Sequence, residues 1–151
     1  MDVFQEAEGL QQVPMFSKLD PAKLKLLAFT SDAVTWKDGD ILCRINEPSD
    51  TVFVILNGEV EIIGTVDGED MVLFTKGRHE LVGEMAVLSN APRSATLRAK
   101  GNLRTLNISN DAFLKLLTEN STVALNVMKQ LSDKLAMSTR ALESVKSQAV
   151  A

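Results

Sequence analysis

The spacing of hydrophobic and polar residues changes twice along the chain and divides it into three segments. Residues 20–29 have their apolar positions on one face of a helix, with Asp20 as its cap and Pro21 at its first position. Residues 33–108 contain short β-rich runs separated by turn signals. Helical spacing returns over residues 109–147, so the pattern predicts helices on both sides of a β-rich region.

The β-rich region predicts about eight short strands joined by tight turns. Asn57-Gly58 lies between two of the apolar runs and is a strong hairpin signal. No helical stretch separates the strands, which argues against a parallel α/β sheet and favours an antiparallel sandwich or jelly roll. We therefore expect one domain overall, composed of an N-terminal helical segment (1–32), a barrel (33–108) and C-terminal helices (109–147).

The C-terminal segment predicts two helices, 110–120 and 121–147, with Ser109 or Asn110 capping the first. The longer helix carries a series of mostly apolar positions spaced alternately four and three residues apart. This series, called the seam below, consists of Ala124, Met128, Leu131, Leu135, Ser138, Leu142 and Val145. The spacing is typical of a coiled coil and predicts a homodimer through this helix. A helix lying on its own barrel is the alternative.

Composition narrows the range of partners and compartments. The chain has 151 residues and a net charge of −4, which argues against a general nucleic-acid or anionic-membrane surface. Neither a secretory signal nor an apolar run of about 18 residues is visible, so we expect a cytoplasmic protein without a membrane segment. The single cysteine, Cys43, excludes an internal disulfide and predicts a buried, inert thiol.

Candidate chemistry concentrates in residues 82–97, VGEMAVLSNAPRSATL. A strand that leads into a short helix at Glu84 would direct unpaired N–H groups towards an anion. Gly83 would let the backbone approach a ligand, and the small Ala86 would keep that space open. Arg93 could present its guanidinium to a phosphate, with help from the hydroxyl and N–H of Ser94.

The carboxylate of Glu84 needs a different partner from the phosphate, because the two repel each other. An ionised carboxylate only accepts hydrogen bonds, and a ribose 2′-hydroxyl would suit it. Together these groups are consistent with a nucleotide monophosphate site. A Glu84–Arg93 salt bridge that stabilises the turn is the alternative, and the residues themselves leave both open.

Residues 83–97, GEMAVLSNAPRSATL, resemble the phosphate-binding cassette of cyclic-nucleotide-binding domains. Such domains occur in protein kinase A regulatory subunits and in the bacterial catabolite activator family, where the cassette has the pattern Gly-Glu-x-Ala, a loop, and Pro-Arg-Ala-Ala-Thr. The similarity extends to VPMFSKLDPAKLKLLA, KDGDIL and FVILNGEVEI and covers about residues 13–145. It implies a mainly β fold, an eight-stranded antiparallel jelly roll with N-terminal helices and two C-terminal helices, the second one long.

The resemblance also implies roles for individual residues. Glu84 would bind the ribose 2′-hydroxyl and Arg93 the cyclic phosphate, with help from the N–H groups of Ala86 and Ser94. Gly83 would keep the backbone near the ribose, while Met85 and Ala95 complete the candidate cassette contacts. The candidates for an apolar wall around the base are Val60, Ile62, Leu73, Leu81 and Val82. On the long helix, the hydroxyls of Ser138 and Thr139 are candidates for contacts with the base.

Two cassette positions depart from the family pattern. Val82 stands where Phe is frequent, and Ser94 stands where kinase A-like cassettes have Ala and cGMP-dependent kinase-like cassettes have Thr. The bacterial activators also have Ser at the position of Ser94 and bind cAMP. We therefore expect cAMP as the ligand, with a cGMP-preferring sensor as the alternative.

The expected function is a non-enzymatic cyclic-nucleotide sensor that couples binding to its C-terminal helices. Only KSQAVA follows Val145, where activator-family regulators carry a helix-turn-helix domain, so we expect no direct DNA binding. The chain is then either a stand-alone sensor that acts through a downstream protein partner or the sensory part of a longer chain. No cofactor or metal is expected, because a metal-dependent jelly-roll enzyme needs several histidines and this chain has one. A structural dimerisation module without a ligand is the remaining alternative.

Overall fold

The computed structural model describes residues 2–150 and, within them, the side chains of residues 2–144. Val145, the last seam position, therefore has its side chain outside the described residues. The helices are α1 (Val3–Gln11), α2 (Pro21–Thr30), α3 (Glu84–Leu88), α4 (Asn110–Glu119) and α5 (Ser121–Val150), with a 3-10 turn at Pro14–Phe16. The strands are β1 (Asp32–Trp36), β2 (Ile41–Cys43), β3 (Thr51–Val66), β4 (Glu69–Lys76), β5 (Leu81–Val82) and β6 (Thr96–Ser109).

Helix ends follow the predicted capping chemistry. The Asp20 carboxylate accepts a hydrogen bond from the Ala22 N–H at 3.1 Å, at the start of α2. The Ser109 hydroxyl accepts one from the Ala112 N–H at 3.2 Å, at the start of α4. The predicted positions of these helices are confirmed to within one residue of their ends.

All six strands pair antiparallel in one sheet. The main path is β1-β6-β3-β4, while β2 also pairs with β6 and β5 with β3. The expectation of a mainly antiparallel β fold with flanking helices is confirmed. The long β3 and β6 strands form the centre of the sheet, and the short β5 strand leads directly into α3.

The predicted count of eight strands is not confirmed, since residues 2–150 form six strands. Asn57-Gly58 is not a hairpin turn, because β3 continues through it while its pairing with β6 shifts register. Gly58 has a φ of 98°, and a Cβ there would lie 2.4 Å from the Asn102 carbonyl oxygen. A glycine that resembles a turn signal instead lets two long strands bend past each other. The β-rich runs ATLRA (95–99) and LRTLNI (103–108), which predict two separate strands, likewise merge into β6.

Alternation along β3 separates two hydrophobic clusters. Val52 and Val54 point into an outer cluster, which lies between the sheet and the helices. Phe53 and Ile55 point to the opposite face, into an inner cluster with residues such as Leu97. Since β5 and α3 adjoin β3, the cassette lies where the two clusters meet.

The outer cluster fixes the flanking helices. Its helical members include Leu24 and Leu27 from α2, Phe113 from α4, and Val123 and Val127 from α5. The first part of α5 is therefore packed on its own domain. Within residues 2–150, every helix is too short or too polar to cross a membrane.

Candidate functional site

The junction between β5 and α3 depends on Gly83. Its φ of 83° lies in the left-handed region that favours glycine. As the residue preceding α3, it has no side chain to cap the first N–H groups of the helix. A Cβ at this position would lie 2.5 Å from Nη1 of Arg93. The glycine thus makes room for the arginine of the cassette, a role that the sequence pattern did not indicate.

Arg93 is only 3% exposed, and hydrogen bonds hold its guanidinium against the backbone. Nη1 donates to the Gly83 carbonyl at 2.9 Å, and Nη2 donates to the Thr51 carbonyl at 2.5 Å. The guanidinium carbon lies 5.6 Å from the centre of the Phe53 ring, a cation–π contact. These contacts fix the cation at the point where β3, β5 and α3 meet.

The main chain of Arg93 is fixed as well. Its N–H donates to the Glu47 carbonyl at 2.8 Å, and its carbonyl accepts from the Asn46 N–H at 2.7 Å. The Ser49 hydroxyl is placed within hydrogen-bonding distance of the carbonyls of Ala86 and Ala91, at 3.1 and 2.7 Å. The loop after β2 therefore positions both the arginine and the segment between α3 and β6.

The buried charge of Arg93 has no counter-ion in the described part of the chain. No carboxylate of residues 2–144 forms a salt bridge with it, and its buried Nε lacks a hydrogen-bond partner there. A buried cation held only by carbonyls and a ring is costly without a compensating anion. Glu84 instead pairs with Lys134, so the alternative of a Glu84–Arg93 salt bridge is wrong, and Arg93 is left as a cation without a carboxylate partner among residues 2–144.

Glu84, the first residue of α3, is paired with a residue that the sequence pattern did not indicate. Its carboxylate accepts a hydrogen bond from the Lys134 ammonium on α5 at 2.6 Å. The Glu84 side chain is 7% exposed and that of Lys134 is 40% exposed. The signal for Lys134 in the sequence is that it lies seven residues after Val127, on the same face of the helix.

The remaining cassette candidates surround these two charges. Ala86 and Ala95 are half-buried, whereas Met85 and Ser94 are exposed. The Ala86 carbonyl accepts from the Ala91 N–H at 3.0 Å, which closes the loop after α3. The backbone thus brings the predicted phosphate-side groups, Arg93 and the first turn of α3, to one junction.

The residues of the predicted apolar wall lie in different environments. Val60 and Val82 belong to the inner cluster and Leu81 to the outer cluster, so these three are core residues. Ile62 is half-buried against the inner cluster, and Leu73 is exposed on β4. Ile62 and Leu73 are therefore the two candidates whose side chains keep exposed surface that a base could contact.

Ser138 and Thr139 lie about one turn beyond Lys134 on α5, and both are exposed. The Thr139 hydroxyl donates to the Leu135 carbonyl of the same helix at 2.9 Å. Of the two hydroxyls, that of Ser138 is therefore the better candidate for a contact with the base.

Cys43 ends β2 and packs against the inner cluster. It is half-buried rather than fully buried. Burial raises the pKa of its thiol, although nearby Arg93 acts in the opposite direction. A raised pKa keeps the thiol protonated at neutral pH, which agrees with the expected inert cysteine.

Comparison with known proteins identifies the family. The model of the cyclic nucleotide-binding domain matches residues 33–120. A cAMP-dependent protein kinase regulatory subunit from Blastocladiella emersonii is 33% identical over 109 residues, which are 72% of this chain and 27% of that protein. A cyclic nucleotide-gated potassium channel from Mesorhizobium japonicum is 33% identical over 112 residues, 74% of this chain and 30% of the channel.

A solved structure agrees over nearly the whole chain. The sensor domain of the transcriptional regulator DNR from Pseudomonas aeruginosa has a TM-score of 0.80 at 26% identity, covering 92% of this chain and 95% of that one. The chain spans between a quarter and a third of the two curated relatives, so it corresponds to one part of each. The predicted resemblance to this family is confirmed, and the chain belongs to the cyclic nucleotide-binding domain family.

Proposed function

We propose that this chain is a non-enzymatic regulatory module that binds cAMP at its cassette and transmits binding to its C-terminal helices. The observation that carries the proposal is the buried Arg93 guanidinium, which has no carboxylate partner among residues 2–144. A cyclic phosphate would supply the missing negative charge. The N–H groups of Ala86 and Ser94 would assist it, and Glu84 would accept a hydrogen bond from the ribose 2′-hydroxyl.

The preference for cAMP over cGMP has two supports. The name of the Blastocladiella relative includes cAMP, and the chain has Ser94 at the cassette position where the bacterial activators have serine. A cGMP-preferring sensor is the alternative. Parallel calorimetric titrations with the two nucleotides decide between them, and a tenfold preference for cGMP would reverse the assignment.

Arg93→Ala tests the site itself. We expect it to weaken cAMP binding by about 2–5 kcal/mol, because it removes one partner of a buried charge pair. Calorimetry on the purified chain measures the loss, and a melting curve shows whether the variant is folded. Arg98→Ala is the matched control, since Arg98 pairs with Glu61 on the sheet at 3.1 Å and is not part of the cassette. A folded Arg93→Ala protein that binds within a few-fold of wild type would remove Arg93 from the site.

A structural dimerisation module without a ligand is the second candidate. It is favoured by the large apolar side chains exposed on α5, among them Met128, Leu135 and Leu142. It predicts no heat and no melting shift with millimolar cAMP or cGMP. In the sensor proposal the same surface forms a homodimer, and the module acts on a downstream protein partner.

A further inference from the structure

A cleft of about 770 Å³ lies between α1 and the sheet, and none of the residues that line it belongs to the cassette at residues 82–97. This volume falls within the range of about 300–1,000 Å³ that sites for small molecules occupy. The polar and charged side chains that line the cleft are those of Gln5, Glu8, Gln12, Arg78, His79 and Arg104. The first three are three and four residues apart, so they share one face of α1 and its C-terminal cap.

Positive charge is concentrated in this cleft, although the chain as a whole has a net charge of −4. Among the described residues, Arg78, His79 and Arg104 line the cleft against one lining carboxylate, that of Glu8. Arg78 and His79 form no salt bridge with any of residues 2–144. The local excess of basic side chains favours an anionic ligand, which the net charge of the chain does not by itself attract.

Arg104 has few partners for its guanidinium. Nη1 donates to the Thr35 hydroxyl at 3.1 Å, which uses one of the five N–H donors of the group. Nη2 lies 3.9 Å from the nearly buried Glu6 carboxylate, too far for a hydrogen bond. Nε is buried and has no hydrogen-bond partner in the described part of the chain. The Arg104 guanidinium therefore keeps N–H donors for an acceptor in the cleft.

The turn between β4 and β5 fixes the other two basic side chains at the cleft. His79 has a φ of 69°, and its N–H donates to the Ile55 carbonyl on β3 at 2.8 Å. The Ile55 N–H in turn donates to the Glu80 carbonyl at 2.9 Å. The Glu80 carboxylate is engaged elsewhere, since it pairs with Lys76 at 3.6 Å. The backbone thus places Arg78 and His79 beside α1 without giving them an acidic neighbour.

We propose that this cleft is a second ligand site, which binds a small phosphate ester that carries hydroxyl groups. The three basic side chains donate hydrogen bonds to the phosphate, since a doubly charged oxyanion suits several cationic donors better than a single carboxylate does. The Glu8 carboxylate accepts from hydroxyl groups, and the amides of Gln5 and Gln12 both donate to and accept from them. The site shares no residue with the cassette, so the inference does not depend on the proposed function.

NMR of His79 tests this site directly. His79 is the only histidine of the chain, so its imidazole C–H signals identify one place in the molecule. At constant pH, glucose 6-phosphate should shift these signals in a saturable way, inorganic phosphate should do so at higher concentration, and glucose should leave them unchanged. Absence of a saturable shift with glucose 6-phosphate, glycerol 3-phosphate and inorganic phosphate up to tens of millimolar overturns the site. Equal affinity for inorganic phosphate and both esters overturns the role of the hydroxyl groups.

Arg78→Gln tests the contact with the phosphate, because Arg78 is exposed and its loss should leave the fold intact. The variant should bind glucose 6-phosphate about tenfold or more weakly, as expected for loss of a charge-assisted hydrogen bond. Arg44→Gln is the matched control, since Arg44 is an exposed arginine that does not line the cleft. Melting curves check that both variants are folded. Equal weakening in the two variants, or unchanged affinity in Arg78→Gln, overturns the proposed contact.

The cassette is tested separately with Arg93→Ala. This variant should lose affinity for cAMP and still show the saturable His79 shift with glucose 6-phosphate. A folded Arg93→Ala protein in which the His79 shift is lost overturns a second, separate site. Failure of wild type to bind cAMP overturns the proposed function alone, because the His79 titration does not involve the cassette.

Discussion

The two parts of α5 differ in how their apolar side chains are covered. In the first part, residues 121–134, Val123 and Val127 are buried in the outer cluster and Leu131 packs beside them. In the second part, residues 135–144, every side chain is exposed, with Leu135 at 69% and Leu142 at 57%. One continuous helix thus carries apolar side chains that are buried against the domain, in its first part, and apolar side chains that are exposed, in its second part.

The difference separates residues that stabilise the domain from exposed residues that are available for the proposed homodimer. An isolated helix gains little stability from its own backbone and depends on packing of its apolar face. The first part receives that packing from the domain, and the second part would receive it from a second copy of the chain. Lys134, which pairs with Glu84, lies at the boundary between the two parts.

The largest effect is expected from a charge introduced into the first part. Val127→Asp places a carboxylate in the outer cluster, which should cost about 3 kcal/mol or more of folding stability. The matched variant is Leu135→Asp in the second part, which should change the stability of the dilute monomer by no more than about 0.5 kcal/mol. Urea unfolding at low protein concentration measures both.

Similar losses of folding stability in Val127→Asp and Leu135→Asp would contradict the division of α5 into two parts. They would mean that the later turns of α5 also pack on the domain in solution. Lys129→Asp, at an exposed position of the first part, controls for the effect of a new charge on the helix itself.

The sequence pattern could not divide α5 in this way. The four-three spacing of the seam continues without a break from Ala124 to Leu142, and Leu131 fits both a coiled coil and a helix lying on its own domain. The signal for the second possibility is the additional pair Val123 and Val127, which widens the apolar face beyond a two-stranded seam.

The next effect concerns assembly through the second part. We expect wild type to be a homodimer at tens of micromolar, with or without cAMP, and Leu135→Asp to weaken the dimer about a hundredfold or more. The reason is that each buried leucine contributes about 1.5–3 kcal/mol, and the substitution acts once in each protomer. Sedimentation velocity with and without nucleotide measures the change.

Met137→Asp is the control for assembly, since Met137 is exposed on α5 but lies outside the seam. A monomeric wild-type protein in both conditions would contradict the dimer. The exposed apolar positions would then have to be covered by a different protein.

Other parts of the fold show the same limit of local patterns. The starts of α2 and α4 were predictable because the side chains of Asp20 and Ser109 accept hydrogen bonds from backbone N–H groups no more than three residues away. The strand count was not, because an Asn-Gly pair between apolar runs is compatible with both a hairpin and a bend in a long strand. The pairing of β3 with β6, about 40 residues away, selects the bend.

The candidate site shows the limit most clearly. Gly83, Glu84 and Arg93 lie within one short motif, so their resemblance to a cassette could be identified from the sequence. Lys134 is 50 residues from Glu84, and no local pattern joins them. Thr51 and Phe53, which hold the Arg93 guanidinium, likewise look like ordinary strand residues in the sequence.

The smallest expected effect concerns Ser138, where the seam and the proposed ligand contacts meet. Removing its hydroxyl by Ser138→Ala should weaken cAMP binding about three- to tenfold, since one neutral hydrogen bond contributes about 0.5–1.5 kcal/mol. Dimer affinity should stay the same or rise slightly, because a polar residue in a seam costs stability. Thr139→Val is the matched control and should bind cAMP like wild type, because the Thr139 hydroxyl is already bonded to the Leu135 carbonyl. Calorimetry and sedimentation on both variants make the measurement. If Ser138→Ala leaves cAMP affinity unchanged and strengthens the dimer, Ser138 serves the register of the seam, and the second part of α5 takes no direct part in holding the nucleotide.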